Sequence, residues 1–154
     1  MLWDLMIHIM ASLVVSVGFC FVHNVHGRVI LPATAGGTVT WVAYTLAAGR
    51  IGNVYLPYFV AAMALSIYAE IMSRVYRAPA TVFLVIGLLP LVPGSGIYYT
   101  MIAFMEGDID AFALQGSQTL GISGTLALAL LIVSSLVRLV QVVQTRGQKL
   151  SRRL

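Results

Sequence analysis

The run Arg77-Ala78-Pro79-Ala80-Thr81-Val82-Phe83-Leu84-Val85-Ile86-Gly87-Leu88-Leu89-Pro90-Leu91-Val92-Pro93-Gly94-Ser95-Gly96-Ile97-Tyr98-Tyr99-Thr100-Met101 decides how the chain folds. From Ala80 to Met105 there is no charged residue. A bilayer crossing needs about 20 apolar residues, so this stretch is long enough to span. One continuous helix does not fit it. Pro90 and Pro93 have no backbone donor, and Gly94 and Gly96 weaken helical order. Hydrocarbon tolerates freed backbone groups only where protein or a wet cavity satisfies them. The expectation is two half-helices meeting at an unwound elbow, Pro90 to Gly96, at mid-depth. Broken helices at the midplane are where secondary transporters hold their solutes, so the elbow is the first candidate site.

A second half-helix starting near Ser95 would leave the amides around Gly94, Ser95 and Gly96 without intrahelical partners. Those donors, at the positive end of a helix dipole, make an anion site without a buried arginine. Glycine lets a carboxylate approach the backbone, and Ser95 adds a hydroxyl. The first half-helix, ending at Gly87-Leu88-Leu89, would offer carbonyls to an ammonium or a bound cation. Opposed donors and acceptors suit a zwitterion. The candidate substrate-binding residues are Pro90, Pro93, Gly94, Ser95, Gly96, Tyr98 and Tyr99, with Thr34 and Thr38 from an earlier span. The competing reading is a structural kink filled by neighbouring helices.

Arg77-x-Pro79, and Pro90-Leu-Val-Pro-Gly94 followed by Tyr98, resemble the compact membrane module of the threonine/serine exporter family. The likeness is strong over roughly residues 74 to 101 and elsewhere rests on length and span count. In that family the module is the second half of a longer exporter, or a small separate protein working with a larger one. The resemblance implies export of a small amino acid or short carboxylate, with a larger homologous membrane subunit as partner. Self-association about a two-fold axis is the alternative, because five spans are few for a transporter built from pseudo-symmetric halves. A passive channel half, or a membrane subunit that only stabilises a partner, are the other functions the chain could serve.

Composition agrees with a bilayer setting. Of 154 residues, 60% are hydrophobic and 9% charged, against about 25% charged in soluble domains, and the mean hydropathy is +0.95. The net charge of +4 is scattered until the C-terminus, which speaks against a nucleic-acid surface. Cys20 is the single cysteine, leaving no disulfide framework and no thiol metal site. Asp4 precedes the first apolar run with no Lys or Arg, unlike a secretory signal, so that segment is expected to stay. No nucleophile–base pair, metal cluster or phosphate loop is visible, so neither an enzyme nor a cofactor is expected.

The fold expected is all-α, with spans at about 5–22, 29–48, 54–73, 80–105 and 119–143, an acidic outer loop at 106–118 and a basic tail at 144–154. His8 sits four residues after Asp4, which gives either a local pair near the interface or a proton-coupling group. His23 and His26 belong to a polar turn. The second span is expected to be interrupted by Pro32, Gly36 and Gly37, and its Thr34, Thr38, Trp41 and Thr45 share a stripe, for packing or for solute. Tyr55 and Tyr58 sit where an aromatic belt would lie. Glu70 either pairs with Arg74 at the headgroups or takes part in coupling. The arrangement with the N-terminus outside and the C-terminus cytoplasmic puts eight of the nine basic residues inside, leaving Arg50 outside. The bacterial inner membrane is the expected location.

Overall fold

The computed structural model describes the backbone of residues 2–151 and the side chains of residue 3, residues 6–140 and residue 143. The regular elements among them are α1 (Leu2–Val22), α2 (Ile30–Ala48), α3 (Leu56–Tyr76), α4 (Ala80–Leu88), α5 (Gly94–Glu106) and α6 (Ile109–Ser151). Short 3-10 turns lie at Gly27–Val29 and Leu89–Leu91. By length and composition, α2, α3 and α6 could each cross a bilayer, and α4 and α5, bent by 51° at their break, pass together. The described part of α1 adds a shorter apolar stretch, Met6–Val22. An all-α membrane architecture with a broken fourth segment is what the Pro/Gly cluster predicts. The side chains of Asp4, Arg146, Lys149, Arg152 and Arg153, on which a local pair and a basic tail were expected, lie outside the described residues.

Local chemistry sets the helix ends. Asn24 takes the left-handed conformation (φ 57°) after α1, letting the Val25 amide donate back to the Cys20 carbonyl at 2.8 Å. The Asn53 side-chain oxygen accepts from the amides of Tyr55 (2.7 Å) and Leu56 (3.2 Å) and so caps the start of α3. Arg77 closes α3 in the left-handed region (φ 53°), and Pro79 then starts α4. Asp108 accepts from the Ala111 amide at 2.9 Å and opens α6.

Two expectations are corrected here. The second span is not interrupted: α2 runs unbroken because Pro32 lies in its first turn, where a missing donor leaves no helical bond unmade. Nor is 106–118 a loop, since α6 begins at Ile109 and only Gly107 and Asp108 separate it from α5. Acidic residues suggest a solvated connection, but Asp108 and Asp110 stand at the N-terminus of α6, where they complement its dipole. At about 1.5 Å per residue, the 43 residues of α6 make a rod far longer than a hydrocarbon core of about 30 Å.

Helix α2 is the hub, touching α1, α3, α4 and the 3-10 turn at Leu89–Leu91. Two adjacent glycines make this possible. A Cβ on Gly37 would collide with the Ser16 hydroxyl of α1, and one on Gly36 would press on the Tyr68 ring of α3 at 3.3 Å. Gly87 of α4 comes close to Leu65 and to the backbone of Gly36. Such contacts fit a lipid setting, where close backbone approach, not exclusion of water, holds helices together. The Tyr68 hydroxyl ties α3 to α2 by donating to the Pro32 carbonyl at 2.7 Å. One buried cluster (Cys20, Ala33, Ala69, Phe83, Ile86) binds α1 to α4, and a second (Ala61, Ala62, Leu91, Leu126, Ala129) joins α3 and the elbow to α6. Helix α5 packs against α6.

Candidate functional site

The break between α4 and α5 is tighter than the seven-residue elbow the sequence suggested. Pro90 lies in the 3-10 turn, which the Val92 amide closes on the Leu89 carbonyl at 3.2 Å. Val92 is extended (φ −61°, ψ 126°), as a residue before proline prefers. Pro93, at φ −75° and ψ 60°, forms an inverse γ-turn in which the Gly94 amide donates to the Val92 carbonyl at 2.7 Å. The Ile97 amide then donates to the Pro93 carbonyl at 3.1 Å as α5 starts. Between these two bonds, the amides of Ser95 and Gly96 find no backbone acceptor among the described residues. Two adjacent free donors at the positive end of a 13-residue helix form an anion-seeking pair.

Ser95 and Gly96 also line a cavity of about 320 Å³. The elbow supplies Pro90 to Pro93, Ser95, Gly96 and Tyr99 to its lining. Helix α6 supplies Gln115, Gln118, Thr119 and Ile122, and Trp41, Tyr44 and Tyr58 come from α2 and α3. Among the described residues, no charged side chain lines it. Gly96 lets α5 and α6 close on each other here, for a Cβ at that position would strike the Thr119 hydroxyl. That hydroxyl donates to the Gln115 carbonyl at 2.7 Å, one turn back on its own helix.

Of the residues singled out from sequence, Pro90, Pro93, Ser95, Gly96 and Tyr99 come together around this cavity. Gly94 does not line it, and Tyr98 is 62% exposed on the outer face of α5. Thr34 is buried against Cys20, its hydroxyl 3.7 Å from the sulfur, inside the cluster between α1 and α2. The Thr38 hydroxyl is buried without a hydrogen-bond partner and borders none of the cavities described. Thr40 and Thr45 bond back to the Gly36 and Val42 carbonyls at 2.7 and 3.0 Å, so their hydroxyls serve the helix itself. The expected acceptor end is also corrected: Gly87, Leu88 and Leu89 do not reach the cavity, because Gly87 turns into the packed seam with α2 and α3.

The two coupling candidates part company. Glu70 borders none of the described cavities. His8 lines a smaller cavity of about 180 Å³ on the α1 side of the elbow, with its ring centroid 5.6 Å from that of Trp41. Trp41 and Pro90 border both cavities and stand between them. The turn histidines make local contacts, His23 Nδ1 with the Phe19 carbonyl at 3.1 Å and His26 Nδ1 with the Asn24 carbonyl at 2.7 Å.

Sequence reasoning missed the whole α6 wall. Gln115, Gln118, Thr119 and Ile122 follow the i, i+3, i+4, i+7 spacing of one helix face. That spacing is legible in the sequence, but the acidic residues before it suggest a loop through Gln118. Tyr58, expected in an aromatic belt, lines the cavity instead. A neutral cavity with amide donors, two glutamines and aromatic rings can bind and release a small polar solute.

A family model described as Threonine/Serine exporter, ThrE, matches residues 8–136, which include the elbow and every residue of the larger cavity. No curated protein and no solved structure matches the chain.

Proposed function

The chain belongs to the threonine/serine exporter family, and from that premise we propose that it is one module of a secondary exporter whose solute site is the elbow cavity. The family is one of exporters, not of enzymes. The observation that carries the proposal is that Ser95 and Gly96, whose amides find no backbone acceptor among the described residues, line a cavity of about 320 Å³. That volume stands at the small end of ligand pockets, which run from about 300 to 1,000 Å³, and suits a small amino acid or short carboxylate. A solute carboxylate accepts from the two amides, with the Ser95 hydroxyl beside them. Gln115 and Gln118 offer both donors and acceptors to the rest of the solute. A dicarboxylate would lack a second positive element, since no charged side chain among the described residues lines the cavity.

A partner completes the transporter on this reading, either a larger homologous membrane subunit or a second copy of the chain. The module sits in the bacterial inner membrane with its N-terminus outside and its C-terminus cytoplasmic.

Proteoliposomes test the function directly. The full chain, with and without its partner, is loaded with unlabelled threonine or serine and assayed for counterflow of the labelled solute. Saturable exchange that can run against a gradient is expected, and Ser95→Phe should abolish it while the protein still assembles. Persisting exchange in Ser95→Phe would move the solute site elsewhere. Flux that only runs downhill without saturation would make the chain half of a passive channel.

A further inference from the structure

The cavity poses a chemical question that the elbow amides do not answer. A zwitterion brings an ammonium as well as a carboxylate, and among the described residues no carboxylate side chain lines the site to receive it. The carbonyls of Gly87 to Leu89 are not in the lining either. What the α2 and α3 wall does supply is aromatic surface. The Trp41 and Tyr44 ring centroids are 5.5 Å apart with planes tilted by 36°, and those of Tyr44 and Tyr58 are 4.7 Å apart with a tilt of 52°. All three residues line the cavity. Tyr99 adds a fourth ring from α5. Faces of Trp and Tyr attract a cation through the ring quadrupole, most strongly where water is excluded.

We propose that Trp41, Tyr44 and Tyr58 form a cation–π cage for the ammonium end of the solute, so that the site takes N-methylated amino acids as well as primary ones. The cage rests on the reading of Ser95 and Gly96 as the carboxylate end. Its consequence is specific. An ammonium held by carbonyls gives up one hydrogen bond with each added methyl group. An ammonium held by ring faces keeps its charge, and each methyl gains contact with the rings. The class of solute is therefore an α-amino acid or its N-methylated counterpart, up to a trimethylammonium carboxylate.

The test is competition against labelled threonine in proteoliposomes holding the full chain and its partner, using glycine, sarcosine, dimethylglycine and glycine betaine. Competition that holds or strengthens along the series supports the cage; a stepwise fall with each methyl overturns it. Tyr44→Leu and Tyr58→Leu should each raise the KM for threonine roughly 2- to 30-fold, and Tyr44→Phe, which keeps the ring, should raise it less than Tyr44→Leu. An unchanged KM in both leucine variants would reduce the rings to packing. If the unmodified protein moves no threonine or serine, the elbow reading falls, and binding decides the cage separately. In Trp3→Phe the only remaining indole is Trp41, so a saturable change in its fluorescence on adding glycine betaine supports the cage, and a flat titration overturns it.

Discussion

A Cβ built on Gly96 would run into the Thr119 hydroxyl of α6, whereas one built on Gly94, two residues earlier, meets nothing within 4 Å. The same substitution should therefore have opposite outcomes at the two sites. Gly96→Ala overpacks the α5–α6 contact and should destabilise the protein by about 1–3 kcal/mol, read as an earlier thermal loss of the monodisperse peak in detergent. Pairing it with Thr119→Ala should recover much of the loss, because neighbouring substitutions couple. Gly94→Ala should be neutral or stabilise by up to about 1 kcal/mol, since it lowers the chain entropy lost on folding. Equal damage at both positions would mean that the elbow, and not the helix contact, needs the glycines. Only the coordinates separate the two residues: both sit in the Gly94-Ser-Gly96 triplet, and sequence cannot say which faces another helix.

At the scale of the element, the bend belongs to two prolines acting differently. Pro90 denies a donor inside the 3-10 turn, and Pro93 holds the inverse γ-turn that leaves Ser95 and Gly96 unpaired. Replacing both by alanine should let α4 run on into α5 and relax the 51° bend. Spin labels at Thr81 and Met105 should then move apart in a pulsed dipolar measurement, and exchange should fall because the free amides disappear into helical bonds. A distance that stays unchanged would show that packing by α2 and α6, not proline chemistry, imposes the bend. On α6 the polar face belongs to the same argument. Gln118→Leu removes a hydrogen-bonding group from the cavity wall but leaves the helix intact, so it should weaken solute competition while thermal stability holds.

For the whole molecule, the proposed five crossings would put the two ends of the chain on opposite sides of the bilayer. Cysteines placed at Asn53, between α2 and α3, and at Asp108, between α5 and α6, should react with an impermeant thiol reagent on intact cells. One placed at Ala78, between α3 and α4, should react only after the cells are opened. The reverse pattern would invert the orientation, and Asn53 and Asp108 reacting from opposite sides would make the α4–α5 pair a re-entrant hairpin. Helix α5 shows the least internal packing, presenting Ile97, Met101, Phe104 and Met105 outward at 52 to 81% exposure. Apolar exposure of that extent is ordinary against lipid, so it does not by itself identify a partner.

Composition and punctuation were enough to establish a helical membrane protein with one broken crossing. Charge is too costly in hydrocarbon to be hidden, and two prolines within four residues cannot continue a helix. The same punctuation pointed to Pro90, Pro93, Ser95, Gly96 and Tyr99, which line one cavity, since a break exposes the backbone wherever it occurs. Three things waited for the tertiary structure. Pro32, Gly36 and Gly37 look like a second break, yet serve a first turn and two close helix contacts, a distinction set by where neighbouring helices lie. Gln115, Gln118 and Thr119 joined the site only because Gly96 lets α6 approach α5. The aromatic wall of Trp41, Tyr44 and Tyr58 spans two helices, and side chains distant in sequence share a cavity only once packing has brought their faces together.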